Sequence, residues 1–173
     1  SESYDADSRK PEVTFGDTLA GDLARRDFTV NAMAVRLPSL EFVDLHDGMR
    51  DLTAGVLRTP IAPEESFGDD PLRMMRAARF AAQLGFAIAP EVRTAITEMS
   101  ARLQIISSER IRDEFVKTLM SVNPRLGLTV MVETGLAAQF LPELPALQLE
   151  IDEHHRHKDV YEHSLIVLEQ AID

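Results

Sequence analysis

The chain has 173 residues, of which 45% are hydrophobic, so it can bury a core as one domain or two small ones. The sequence contains no cysteine, no run of 18 uncharged apolar residues and no basic, apolar leader. Disulfides are therefore excluded, nothing indicates a membrane span or signal peptide, and we expect a cytoplasmic protein. The net charge of −11 argues against an ordinary basic nucleic-acid binder, but the balance reverses between residues 100 and 127, where a locally basic strip is predicted.

Short β-prone runs dominate the first part of the chain. They lie at residues 13–15, 34–37, 41–45 and 56–58, and Pro38-Ser39 marks the turn between the second and third. These runs predict the remnant of a small mixed β-sheet. The polar opening, residues 1–10, begins without methionine, and we expect it to be a loop entered from an upstream part of a longer protein.

From Asp70 onward, helical periodicity replaces the strand signals. Asp70 followed by Pro71 is typical of a helix start, and Gly85 of a helix end. Further helices are predicted over residues 90–100, 107–120, 123–135 and 161–172, with a linker at Pro142 and Pro145. The predicted fold class is α+β and predominantly α, with the sheet remnant over residues 1–60, a helical neck and body over 61–145, and the start of a third, helical unit over 146–173.

Four segments carry the most specific sequence signals. They read RRDFTVNAMA at residues 25–34, DLHDGMRDL at 44–52, FGDDPLRMMRAARF at 67–80 and SERIRDEFVK at 108–117. In this order and spacing they resemble the motifs of class II tRNA nucleotidyltransferases and bacterial poly(A) polymerases. That family usually has Glu-Asp where this chain has Asp69-Asp70. The resemblance implies that residues 1–60 are the C-terminal part of a nucleotidyltransferase head domain.

The third segment can also be interpreted from its physical chemistry. Arg73, Arg76 and Arg79 recur every three residues, so they lie within about a 120° arc of one helix and make that face cationic. Asp70 lies one helical turn before Arg73 and can neighbour it. A carboxylate beside a guanidinium can read the edge of a base by accepting from the exocyclic amine that cytosine and adenine share. Uracil and guanine lack that amine at the same position.

The family resemblance implies that protein side chains select CTP and ATP for addition of CMP, CMP and AMP to the tRNA acceptor end. It implies base-reading roles for Asp70 and Arg73, triphosphate contacts for Arg26, Arg76 and Arg79, and a ribose contact for Asp27. Nucleotidyl transfer also needs Mg²⁺ held by paired carboxylates, which the family carries upstream of the arginine pair. We therefore expect no catalytic residue in this chain and no transfer by the chain alone.

Histidines are concentrated near the end of the chain. His154, His155, His157 and His163 lie close to several acidic residues, and residues 159–165 resemble the first-histidine segment of an HD phosphohydrolase domain, which some family members carry. His163 would then be one ligand of an incomplete site for a divalent metal ion. A polar, flexible interdomain segment is the alternative interpretation.

The sequence leaves three functions open. The first is a CCA-adding enzyme and the second is a poly(A) polymerase of the same family, which the motifs do not separate. The third is a non-catalytic helical module whose arginines contact only the RNA backbone. The module would bind all four nucleoside triphosphates equally, whereas either enzyme would select among them.

Overall fold

The computed structural model describes residues 18–149 and 160–171, together with the backbone of two short strands at residues 2–3 and 12–13. The predicted fold class, α+β with helices predominating, is confirmed. Among the described residues, no helix combines the length and the apolar character that crossing a bilayer requires.

The strands form three separate pairs. β1 (Glu2–Ser3) and β2 (Glu12–Val13) pair antiparallel, as do β3 (Met33–Arg36) and β4 (Glu41–Asp44), with Met33 opposite Asp44. β5 (Val56–Leu57) pairs in parallel with β6 (Ala87–Ile88). The strands predicted at 34–37, 41–45 and 56–58 are confirmed, whereas most of the run at 13–15 lies outside the described residues. The sequence did not indicate β6, which has only two residues between Gly85 and Pro90.

Three short helices precede the helical body: α1 (Leu19–Ala24), α2 (Gly48–Ala54) and α3 (Pro63–Asp69). Their periodicity is too brief to be read from the sequence. The Asp44 carboxylate caps α2 by accepting from the backbone N–H groups of Gly48 at 2.8 Å and Met49 at 2.9 Å. The bond from Met49 is the main reason that the pKa of Asp44 lies below its ordinary value.

The body contains α4 (Leu72–Leu84), α5 (Pro90–Met99), α6 (Ser108–Leu119) and α7 (Pro124–Glu133). All four were predicted, and α4 ends at Gly85, whose φ of 68° is left-handed. α8 (Glu143–Ala146) lies within the predicted linker, and α9 (Val160–Gln170) matches the last predicted helix. Between the helices, 3-10 turns cover Thr29–Asn31, Ser100–Ile105, Ala137–Gln139 and Leu147–Leu149.

Helix α4 is the centre of the core, and α6 and α7 pack against it. Small residues permit the close approach of these helices. A Cβ on Gly127 of α7 would lie 3.0 Å from the Ala82 Cβ on α4 and 2.4 Å from the Thr118 Cγ2 on α6. The core also includes Phe28 and Leu57, so it is continuous across the predicted boundary at residue 60. The division into units ending at residues 60 and 145 stays a prediction.

Candidate nucleotide-binding site

A polar cavity of about 490 Å³ lies between the segment after α1, the start of α4 and α6. Its volume is in the range typical of small-molecule sites. Its lining contains five arginines and two aspartates among the following residues: Arg25, Arg26, Asp27, Asn31, Asp70, Leu72, Arg73, Arg76 and Arg110. The excess of positive charge suits an anionic ligand such as a polyphosphate.

Asp70 lies where the chain leaves α3 and turns into α4. Its backbone is extended, with φ of −145° and ψ of 99°. One carboxylate oxygen accepts from the backbone N–H of Leu72 at 3.1 Å, and the other accepts from Arg110 Nη2 at 3.3 Å. The side chain therefore caps the start of α4, as predicted. Its ion-pair partner is Arg110 on α6.

Arg73 borders the same cavity, although only 9% of the residue is exposed. Its Nη1 donates to the Ser66 carbonyl oxygen and hydroxyl at 3.1 and 2.8 Å, and its Nη2 donates to the Arg25 carbonyl oxygen at 2.5 Å. These bonds use three of the five N–H donors of a guanidinium. Burial lowers the pKa of Arg73, and the charges of Asp70 and Asp69 oppose that shift. The side chain remains a cation held in one orientation.

Asp27 is buried and holds Arg76. One of its oxygens accepts from the Phe28 backbone N–H at 2.9 Å and the Asn31 amide at 3.1 Å. The other accepts from Nε and Nη2 of Arg76 at 2.9 and 2.5 Å. An ionised carboxylate has about four acceptor sites, and these bonds occupy all of them. Asp27 thus holds Arg76 at the cavity wall, and its predicted ribose contact stays a prediction.

Arg79 is not among the residues that line this cavity. Its Nε donates to the Glu114 carboxylate on α6 at 2.5 Å, its Nη1 donates to Gln83 at 2.7 Å, and the guanidinium lies 4.2 Å from the Phe80 ring centroid. The structure does not bring Arg79 together with Arg73 and Arg76 at this cavity, and its triphosphate contact stays a prediction. Each step of three residues rotates about 60° around a helix, so Arg73 and Arg79 differ by about 120° and meet different neighbours.

Arg26 lies at the rim of the cavity, where it pairs with Asp22 at 2.8 Å and both side chains are more than half exposed. Three polar residues of the lining were not predicted to belong to the site: Arg25, Asn31 and Arg110. Arg25 and Asn31 belong to the RRDFTVNAMA segment, so their motif was a usable signal. Arg110 belongs to the basic strip, but nothing local indicated that it faces Asp70, which is 40 residues away.

The described residues contain no group of three or more histidine, aspartate or glutamate side chains that could hold a metal ion. His163 is exposed on α9, and its role as a metal ligand stays a prediction. His154, His155 and His157 lie outside the described residues.

Two family models match the chain. Residues 1–58 match the poly A polymerase head domain, and residues 85–147 match a domain described as the probable RNA and SrmB binding site of polymerase A. A curated CCA-adding enzyme from Lacticaseibacillus paracasei is 46% identical over 146 residues, which are 84% of this chain and 36% of that protein. The chain belongs to the class II tRNA nucleotidyltransferase family.

Solved structures of CCA-adding enzymes share this fold over part of their length. The crystal structure of the Bacillus stearothermophilus CCA-adding enzyme in complex with CTP has a TM-score of 0.70 and 39% identity, covering 73% of this chain and 32% of that chain. A CCA-adding enzyme complex with ATP has a TM-score of 0.64 and 26% identity, covering 84% of this chain and 42% of that chain. The chain thus spans well under half the length of each of these three proteins.

Proposed function

We propose that this chain forms the nucleotide-selecting part of a CCA-adding tRNA nucleotidyltransferase. The whole enzyme would transfer CMP, CMP and AMP from CTP and ATP to the 3′ end of tRNA in the cytoplasm. The observation that carries the proposal is that Asp70 and Arg73 border one arginine-rich cavity of nucleotide size. The likeness to proteins named CCA-adding enzymes, solved with CTP and with ATP, supports this choice.

Base selection follows from the acceptors and donors that Asp70 and Arg73 retain. Each Asp70 oxygen accepts one bond from the protein, so the carboxylate keeps capacity for an amine of the ligand. Arg73 keeps two N–H groups beyond its bonds to Ser66 and Arg25 for a ring nitrogen or carbonyl. Cytosine and adenine present a donor at the position where uracil and guanine present an acceptor. A carboxylate therefore favours the first two and repels the others.

The remaining arginines suit the triphosphate. Arg76 is fixed by Asp27, Arg26 lies at the rim, and Arg25 and Arg110 extend the positive lining. Guanidinium groups match phosphate oxygens in shape and charge. Magnesium ions would stabilise the charge that develops at the α-phosphate. The described residues contain no cluster of side chains arranged to hold such ions.

Nucleotide binding tests the proposal. Calorimetric titration of the chain with CTP, ATP, UTP and GTP should give tighter binding of the first two. Asp70→Ala should remove that preference, with CTP and ATP about 10- to 100-fold weaker, because a hydrogen bond to a charged group contributes about 1.5–3 kcal/mol. Asp113→Ala is the matched control, since Asp113 is exposed on α6 and does not line the cavity.

Equal binding of all four nucleotides, unchanged by Asp70→Ala, would support the helical RNA-binding module instead. The poly(A) polymerase alternative is decided by the whole enzyme: incorporation of AMP without CMP would favour it.

A further inference from the structure

Ser66 of α3 contacts both of the proposed base-reading residues, although it does not line the cavity itself. The residue is completely buried, with 0% exposed. Its carbonyl oxygen accepts from the backbone N–H of Asp70 at 3.3 Å and from Arg73 Nη1 at 3.1 Å, and its hydroxyl oxygen accepts from the same Nη1 at 2.8 Å. One buried residue therefore connects the segment that carries the carboxylate to the guanidinium.

The helix backbone around Ser66 does not need this hydroxyl. The Ser66 backbone N–H donates to the Ala62 carbonyl oxygen at 3.0 Å, and its carbonyl accepts from Asp70, so its main-chain groups are already paired. Alanine has a higher helix propensity than serine and would also fit a buried position. Among the described residues, the hydrogen-bond partner of the hydroxyl is Arg73. Its presence is therefore explained by that guanidinium.

The bonds to Ser66 decide which donors Arg73 can offer to a ligand. A guanidinium has two N–H groups on each Nη and one on Nε. The two oxygens of Ser66 occupy those of Nη1, and the Arg25 carbonyl oxygen occupies one on Nη2. The donors that remain are the N–H of Nε and one N–H of Nη2. Because the group is planar and rigid, fixing its other donors also fixes the direction of these two.

This fixed direction matters because of the chemistry of the base edge. Beside the exocyclic amine, cytosine and adenine carry a ring nitrogen that accepts, whereas uracil and guanine carry a ring N–H that donates. A guanidinium held in one orientation pairs with the first two bases and faces a donor in the others, and a buried donor left without a partner weakens binding. A guanidinium that can shift avoids the ring N–H and reaches the neighbouring carbonyl oxygen. Selection by Arg73 therefore depends on its immobility.

We propose that Ser66 is a positioning residue for nucleotide selection, whose hydroxyl holds Arg73 in the orientation that distinguishes the four bases. The proposal rests on the proposed function, because it takes Arg73 as a reader of the base. Ser66 acts through Arg73 and does not touch the nucleotide.

Removal of the hydroxyl alone tests the proposal. Ser66→Ala keeps the carbonyl that holds Asp70 and removes one acceptor from Arg73. In calorimetric titrations the ratio of the UTP Kd to the CTP Kd should fall roughly three- to tenfold, as expected for the loss of one hydrogen bond, and the ratio of GTP to ATP should fall likewise. Ser121→Ala is the matched control, since Ser121 is buried, donates to the Thr118 carbonyl oxygen at 2.7 Å and does not line the cavity. It should leave both ratios unchanged.

A double-mutant cycle separates positioning from a general effect on the fold. Arg73→Met removes the group that Ser66 orients, while Asp70 still contributes to selection. In that background Ser66→Ala should change the two ratios by less than about twofold, because residues that act through one contact are not additive. A further fall as large as that in the unaltered chain would show that Ser66 does not act through Arg73, and would overturn the proposal.

Urea unfolding of each variant completes the test. A Ser66→Ala variant that loses stability but keeps both ratios would show a purely structural role for Ser66 and overturn the proposal. If Ser66→Ala does not fold, Ser66→Cys decides, since a thiol sulfur is only a weak acceptor. Its ratios should also fall, and unchanged ratios would contradict the positioning role. Failure of the unaltered chain to prefer CTP and ATP would instead overturn the proposed function.

Discussion

Glu114 of α6 holds Arg79 of α4 in a buried ion pair, and its replacement by alanine should destabilise the fold strongly. The Glu114 and Arg79 side chains are 5% and 11% exposed, and their contact is 2.5 Å. In Glu114→Ala, Arg79 keeps its bond to Gln83 and its position over Phe80, but its Nε loses its acceptor inside the protein. The perturbation thus leaves a cation largely without compensation between two packed helices.

The magnitude follows from that unpaired charge. Removing one partner of a buried ion pair typically costs about 3–5 kcal/mol. Because Gln83 and Phe80 still compensate part of the charge, we expect the lower end, about 3 kcal/mol. Replacing both partners by apolar residues of similar size, as in Arg79→Met with Glu114→Leu, should cost much less, since no charge then remains buried.

Urea unfolding of the chain measures these differences, with equal slopes indicating an unchanged denatured state. The matched control is Glu41→Ala, which breaks the pair between Glu41 and Arg36 on the β3–β4 hairpin. Those side chains are 61% and 59% exposed, so the free energy of unfolding should change by less than about 1 kcal/mol. A Glu114→Ala variant no less stable than Glu41→Ala would refute the reasoning.

Two further predictions concern packing and pH. Gly127→Ala should destabilise the chain by about 1–3 kcal/mol, because its Cβ would lie 2.4 Å from Thr118 Cγ2. Gly68→Ala, with no atom within 4 Å of its Cβ, should be neutral or slightly stabilising. Urea unfolding measures both variants. Asp44→Asn should cost about 1 kcal/mol at pH 7, because the amide nitrogen that replaces one carboxylate oxygen cannot accept from the backbone N–H of Gly48 or Met49. The pKa of Asp44 is lowered in the folded chain, so its carboxylate stabilises the fold above the ordinary pKa, and this stabilisation is lost as the pH falls through the lower folded value. The free energies of unfolding of Asp44→Asn and of the unaltered chain should therefore converge in acid. A constant difference down to pH 2 would contradict this.

The helices, strands and site residues that were predicted from the sequence are those that depend on interactions between residues close together in the chain. Helix α4 was found because Asp70-Pro71 and Gly85 are start and stop signals that act within a few residues. Asp70 and Arg73 were placed at one site because they lie one turn apart. The strand pair β3–β4 was equally local, with both runs joined by a short turn.

What the sequence did not reveal depends on contacts between distant segments. Asp27 accepts from Arg76, 49 residues later, and no local signal indicated that pairing. Arg79 differs from Arg73 because α6 packs on its side of α4, which the spacing of the arginines cannot indicate. Strand β6 exists because β5, about 30 residues earlier, offers a parallel partner.

Two ion pairs hold α6 in place, and they affect how the molecule can respond to ligands. Asp70–Arg110 and Arg79–Glu114 connect this helix to the start and the middle of α4, while Ile111 and Phe115 on the adjacent face of α6 line an apolar cavity of about 450 Å³. Any rotation or slide of α6 must therefore alter both cavities at once. Occupancy of one would then bias affinity at the other, and thermodynamic linkage requires the effect to be equal in both directions.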